Sequence, residues 1–202
     1  MKTFFCAIIM ALFTASIASA ATVKVTASGT VAGDSSGLVS LGDAVSFELV
    51  YDTSVAGTPR SFQSTNYLGA FVSASVSFGA QTFTAASADL LLVFDGFVED
   101  SFDFESSSFA STFGANTTID FAARDFSRSV FTDQSLPTGP LSLADFTSVF
   151  VTVGDRSGAQ SNAFTAQITA LTFAPVAAVP LPAGGLLLLG GLGALALTRR
   201  RS

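Results

Sequence analysis

Between its two apolar ends, this 202-residue chain alternates apolar and polar side chains with a period of two, segment after segment. Val23, Val25, Ala27, Gly29 and Val31 share one face, with Lys24, Thr26, Ser28 and Thr30 on the other. Val45, Phe47, Leu49 and Tyr51 oppose Ser46, Glu48, Val50 and Asp52 in the same way. Val72, Ala74, Val76 and Phe78 oppose Ser73, Ser75 and Ser77, and Phe102 and Phe104 oppose Asp103 and Glu105. Successive side chains of a strand point to opposite faces of its sheet, so this period belongs to half-buried strands. Phe146 to Val153 and Phe164 to Phe173 are two further β-rich runs. Leu90 to Phe94 is continuously apolar, as in a strand covered on both faces.

Turn residues punctuate these runs at Gly33 to Gly37, Ala56 to Pro59, Asp95-Gly96, Pro137 to Pro140 and Gly154 to Gly158. No segment between the ends carries a capped helical stripe, and no fixed-period repeat is present. The pattern predicts an all-β fold: a single antiparallel β-sandwich, jelly-roll-like, over residues 21–173, with 174–178 as a linker. Its core has to come from phenylalanine. Of the 21 phenylalanines, 18 lie beyond the first apolar segment, tryptophan is absent, and the one cysteine, Cys6, sits inside that segment. No disulfide is then available to the domain, and roughly 155 residues bury enough apolar surface to fold without one.

Charge and composition remove several function classes. Between residues 21 and 178 lie Lys24, Arg60, Arg124, Arg128 and Arg156 against all 15 carboxylates, a formal charge of −10. Such a surface repels phosphate backbones, which argues against nucleic acid as a partner. Without histidine, and with no cysteine past Cys6, nucleophile–histidine and thiolate catalysis have no residues to run on. The usual zinc, copper and haem ligands are missing for the same reason, and no phosphate-cradling glycine loop occurs.

Carboxylate chemistry remains. Asp95, Glu99, Asp100, Asp103 and Glu105 fall within eleven residues, and a hard cation such as calcium takes several carboxylate and carbonyl oxygens. The spacing is not that of an EF-hand, and the same residues read as a solvated loop followed by an exposed strand face. A pair of carboxylates could also serve a glycan hydrolase, although the spacing singles out no pair. Asn116-Thr117-Thr118 fits a glycosylation sequon, and Arg124, Arg128 and Arg156 read as surface charges. Tyr51 and Tyr67 are the two aromatics with a polar tip, able to stack on a sugar, and Tyr51 lies on an apolar strand face suited to core packing.

Both ends carry targeting signals. Lys2, the apolar stretch Phe4 to Ala18 and the small-x-small triplet Ala18-Ser19-Ala20 form a signal peptide over residues 1–20, cut by signal peptidase between Ala20 and Ala21. At the other end Val179, Pro180, Leu181, Pro182 and Ala183 make a stiff approach to an uncharged segment, 183–198, which closes on Arg199, Arg200 and Arg201. As a helix, that segment spans about 24 Å against a hydrocarbon core of about 30 Å. Snorkelling arginines and the Val-Pro-Leu-Pro residues can make up the difference. The arginines hold their end in the cytoplasm and leave residues 21–178 outside. Five glycines weaken the helix, as suits a transient span.

This tripartite tail resembles the PEP-CTERM sorting signal in its VPLPA-CTERM form, with Pro180-Leu181-Pro182 where the main type has Pro-Glu-Pro. The resemblance covers about the last 24 residues, from Val179 to Ser202. It implies export in a Gram-negative bacterium, an inner-membrane-anchored precursor with its C-terminus in the cytoplasm, and removal of the tail by an exosortase. It also implies a destination at the cell surface or in the extracellular matrix, in association with extracellular polysaccharide. The expected function is that of a non-enzymatic exported surface or matrix protein. A carbohydrate-binding β-sandwich, or a carboxylate-dependent glycan hydrolase, is the alternative for the β domain itself.

Overall fold

The computed structural model describes residues 22–34, 37–79, 81–111, 114–155 and 163–176. The expected signal helix with Ala18, Ala20 and Ala21, the sorting motif Val179 to Ala183, the membrane segment 183–198 and Arg199 to Arg201 lie outside the described residues. What is described is all-β apart from two short 3-10 turns, Leu68–Ala70 and Leu143–Asp145. In chain order the strands are β1 (Thr22–Asp34), β2 (Ala44–Asp52), β3 (Thr58–Ser61), β4 (Ser64–Asn66), β5 (Phe71–Phe78) and β6 (Gln81–Ala85). They continue as β7 (Leu90–Asp95), β8 (Asp100–Ser111), β9 (Gly114–Asp125), β10 (Leu141–Ser142), β11 (Ser148–Asp155) and β12 (Ala163–Pro175).

All of them belong to one antiparallel sheet, in the order β3-β4-β7-β8-β9-β11-β12-β1-β2-β5-β6, with the short β10 paired to β12. The sheet curls into a half-barrel. Four steps along the sheet separate β9 from β2, which in a flat sheet means about 19 Å. Yet Phe47 of β2 stacks on Phe121 of β9 at 4.8 Å between ring centroids, and lies 6.0 Å from Phe104 of β8. Only a sheet bent over its own inner face brings those rings together. Further pairs close the same core: Phe78 with Phe164 at 4.6 Å, Phe102 with Phe173 at 5.2 Å and Tyr51 with Phe102 at 5.5 Å.

The alternation seen in the sequence is the alternation of burial. Val23, Val25, Ala27 and Val31 of β1 and Val45, Phe47, Leu49 and Tyr51 of β2 are buried, and Lys24 and Glu48 pair across the outer face at 2.7 Å. In β7 the apolar run is covered fully on one side alone. Leu91 and Val93 are buried, whereas Leu90, Leu92 and Phe94 are half-buried on the convex face. β12 runs through Ala174 and Pro175, which pair with Lys24 and Val23, so the strand takes the first two residues of the expected linker.

Five strands carried no clear sequence signal, the two-residue β10 among them. Thr58 and Pro59, read as part of a turn, open β3, an exposed edge strand where proline's missing N–H costs no ladder bond. β4 and β6 are only three and five residues long. β9 mixes strand formers, Thr117, Thr118, Ile119 and Phe121, with Asn116, Asp120 and several alanines, which weakens its pattern, and β8 and β11 flank it on both sides.

Phe47→Ala should lower stability by about 3–5 kcal/mol, because the ring lies where the two halves of the sheet meet. Gly29→Ala should also be costly, since a Cβ there would overlap the Gln167 carbonyl of β12. Val72, expected on the apolar face with Ala74, is instead exposed, because the β2–β5 register shifts beside it. Val72→Ala should therefore change stability by less than about 0.5 kcal/mol. Urea denaturation of the three variants checks this ranking, and a Phe47 loss no larger than that of Val72 would refute the core assignment.

Candidate functional site

Strand directions define two ends of the sheet. At one end β1 starts and β12 stops, β9 and β7 stop, β8 and β4 start and β3 stops. Thr22 and Val176 meet there, the Val176 N–H donating to the Thr22 carbonyl at 2.8 Å. The same end carries the β3–β4 turn, the β7–β8 turn and the long connection from β9 to β11. Most of the candidate chemistry lies there.

Asp125 closes β9 and organises the connection that follows. Its carboxylate accepts from the backbone N–H groups of Ser127 and Ser129, each at 2.8 Å, and from the hydroxyls of Ser127 at 2.7 Å and Thr147 at 3.2 Å. Burial by itself pushes the carboxyl up. The bonds from Ser129, Ser127 and Thr147 outweigh that and hold it well below the usual carboxylate range. Arg128, between the two serines, takes a left-handed φ of 59° and donates from Nη1 to the Phe97 carbonyl at 2.9 Å. A shallow depression of about 380 Å³ beside this knot is lined by Asp125, Ser127, Ser129, Leu141, Asp145 and Thr147 among others. The Asp125 oxygens are already committed to the loop, which makes the carboxylate a folding element.

The period of two divides the five clustered carboxylates between faces. Asp100 stands opposite Asp95 on β7 and Asp125 on β9, on the inner face with Phe102 and Val93. Fully buried, it accepts the Phe131 N–H through Oδ2 at 3.1 Å, while Oδ1 has no hydrogen-bond partner among the protein atoms. Asp103 and Glu105 share the outer face, as the alternation required. Burial there raises the Asp103 carboxyl above its ordinary value, against the opposing pull of the Ser101 hydroxyl at 2.6 Å and the nearby Arg124. Glu99 lies in the turn, 4.0 Å from the Arg124 guanidinium, which also stands over the Phe150 ring at 5.6 Å. Arg124 is therefore a half-buried partner of aromatic and acidic groups, more than the surface charge its sequence suggested. Among the described residues no three metal-ligating side chains converge on one point, and the five carboxylates do not fit a single cation site.

Both tyrosines point inward. The Tyr51 hydroxyl donates to the Pro137 carbonyl at 2.8 Å and that of Tyr67 to the Gln134 carbonyl at 2.7 Å. Burial pushes both phenols above their ordinary value. Neither ring is free to stack on a sugar, and together they fasten the β9–β11 connection to the sheet. Gln134 extends the bracing: its Oε1 accepts from the Thr65 hydroxyl at 2.8 Å, and its Nε2 donates to the Phe62 carbonyl at 2.8 Å.

The turns so braced display apolar tips that the sequence reading did not single out. Phe62 is 77% exposed, Phe97 75% and Val98 76%, and the two rings lie 6.1 Å apart at a tilt of 45°. Phe97 lies inside the acidic stretch and Phe62 in a segment without alternation, so neither carries a sequence signal of its own. Comparison of the chain with protein-family models, curated proteins and solved structures returns no match.

Two aspartates should respond to neutralisation with opposite signs. The lowered Asp125 carboxyl contributes stability that is present above its unfolded value, about pH 4, and is lost as pH falls through the still lower folded value. The raised Asp103 carboxyl contributes a penalty that is present at neutral pH and fades as pH falls through its folded value. Asp125→Asn should therefore cost about 2–3 kcal/mol at pH 7 and flatten the acid limb of the stability curve. Asp103→Asn should raise stability at pH 7. Denaturant unfolding between pH 3 and pH 7 reads both, and an equal loss in the two variants would contradict the assigned environments.

The divided carboxylates carry a second expectation. Thermal melting should give the same midpoint in calcium and in sodium chloride of matched ionic strength, because both ions would only screen. A specific site filled to a hundredfold excess over its dissociation constant would add about 2.7 kcal/mol and separate the two curves.

Proposed function

We propose that this chain is an exported, non-enzymatic surface or extracellular-matrix protein, delivered by a C-terminal exosortase sorting signal of the VPLPA-CTERM kind. The observation that carries the reading is the sequence of the tail, with its Val179 to Ala183 motif, uncharged segment and Arg199 to Arg201 stop. The fold gives it support. β1 opens at Thr22, directly after the expected mature N-terminus Ala21, and β12 ends at Pro175, four residues before Val179. One folded unit thus fills the interval between the two processing segments. The nested pairings β5–β6, β4–β7 and β1–β12 support the jelly-roll-like reading.

Signal peptidase and an exosortase are the processing partners, the membrane is a transient one, and extracellular polysaccharide is the proposed surrounding. The catalytic alternative has less behind it. Asp100 and Asp125 face each other in register but are closed off from solvent, and Asp103 with Glu105 lies on the opposite face. A glycan needs two carboxylates reachable from one cleft. A sugar platform is weakened as well, with both tyrosines buried and the Phe62 and Phe97 rings sharing no common plane.

Replacing Arg199, Arg200 and Arg201 together by glutamine should leave the precursor unprocessed or misplaced, because the charges that fix the cytoplasmic end are gone. Intact-mass measurement of fractionated native-host cells reads the outcome. The wild-type chain should begin at Ala21 and lack the three arginines. Recovery of a mature form that still holds them, or unchanged processing of the variant, would overturn the reading.

A further inference from the structure

We propose that the sheet end bearing Phe62, Phe97 and Val98 is a membrane-contact face, seated on the bilayer interface while the tail holds the chain. The inference rests on the anchoring role given above to residues 179–201. Three observations lead to it.

The first is display. Three large apolar side chains about three-quarters exposed, on two adjacent turns, retain most of their contact with water. Such a patch marks an interaction surface. It is held rigidly from beneath, because Gln134 pins the Phe62 carbonyl and Arg128 pins the Phe97 carbonyl. Gln134 is itself fixed by the hydroxyls of Thr65 and Tyr67. A rigid apolar tip binds without first losing loop entropy.

The second is position. The turns lie at the end of the sheet where β1 starts and β12 stops, and where Val176 bonds to Thr22. Phe126, also exposed, follows β9 at that end. From Val176 to Ala183, where the uncharged segment begins, are seven residues, which span at most about 25 Å when fully extended. A membrane-inserted tail therefore keeps this end close to the headgroup layer. A tether that short holds a weak apolar contact at millimolar effective concentration. The opposite end, with the β1–β2 turn, faces away.

The third is chemistry. Aromatic and aliphatic tips with Arg60 and Arg128 beside them suit the interfacial layer, where aromatic rings and basic side chains gather. A second copy of the chain is a poorer occupant. A stable dimer buries about 800 Å² on each partner, more than three side chains supply.

The chain has no tryptophan, so Phe97→Trp places a single reporter in the patch, and Leu41→Trp places one in the exposed β1–β2 turn at the far end. Phe62→Trp is a second patch reporter. The exported precursor, signal removed and tail retained, is made in a Gram-negative host without exosortase. It is then reconstituted into phosphatidylcholine vesicles with acyl chains brominated near the headgroup. The expected result is flotation with the vesicles, a blue shift and loss of most emission for Trp at 97 and at 62, and water-like, unquenched emission at 41. Flotation with all three reporters unquenched overturns the contact face while leaving the anchoring intact. Failure to float overturns the anchoring reading and this inference with it. A blue shift at 97 and 62 that ignores bromine and accompanies a dimeric mass gives the patch to a second copy and likewise overturns it.

Discussion

The fold depends on one contact that sequence neighbours cannot make, the stacking of Phe47 on Phe121 across the inner face of a curled sheet. A single antiparallel sheet has no second layer to cover it, so its apolar face must be closed by its own curvature. Phenylalanine suits that task. A ring buries a large area and pairs in several orientations, and the core pairs here include stacked, tilted and edge-on geometries. With neither tryptophan nor a cysteine beyond Cys6 in the chain, these contacts and the strand ladder carry the stability that disulfides supply in many exported domains.

Curvature also accounts for the hydrogen-bonded material at one end. Bending the sheet leaves the β9–β11 connection to cover that end of the core, and the connection has no regular ladder for most of its length. Its polar groups are met by side chains instead. Asp125 gathers the Ser127–Ser129 turn, Tyr51 and Tyr67 take the Pro137 and Gln134 carbonyls, and Asp100 takes the Phe131 N–H. Buried acids and phenols thus serve as loop fasteners, which explains why an acidic sequence yields little accessible carboxylate chemistry at this end.

Those fasteners have a consequence for the surface. The residues that anchor the connection from within, Gln134 and Arg128, reach the carbonyls of the two turns that hold Phe62 and Phe97 outward. Core, connection and exposed tip form one chain of contacts ending where both termini leave the sheet. Under the proposed export and tail tethering, the end of the sheet held nearest the membrane is the one that carries the apolar tips.

Much was legible in the sequence because a period of two is a direct readout of strand geometry. The inner faces of β1, β2, β5 and β8 appeared in Val23 to Val31, Val45 to Tyr51, Ala74 to Phe78 and Phe102 to Phe104 by alternation. Val72, expected on the same face as Ala74, is exposed where the register shifts opposite Val50 and Tyr51. The proposed targeting segments rest on local composition, which is what signal peptidase and the bilayer read, and they lie outside the described residues. What only the tertiary structure decided is which strands meet and what their polar residues do there. β9, whose strand formers Thr117, Thr118, Ile119 and Phe121 are diluted by Asn116, Asp120 and alanines, has its place fixed by pairing with both β8 and β11. The acidic stretch is contiguous in sequence and divided in space, because alternation sends Asp100 inward and Asp103 outward. Tyr51 and Tyr67 are consumed by carbonyls far along the chain, and Phe62 meets Phe97 across two turns. Local pattern records the face a side chain takes; long-range pairing sets its company, and that pairing is fixed by the closing of the sheet.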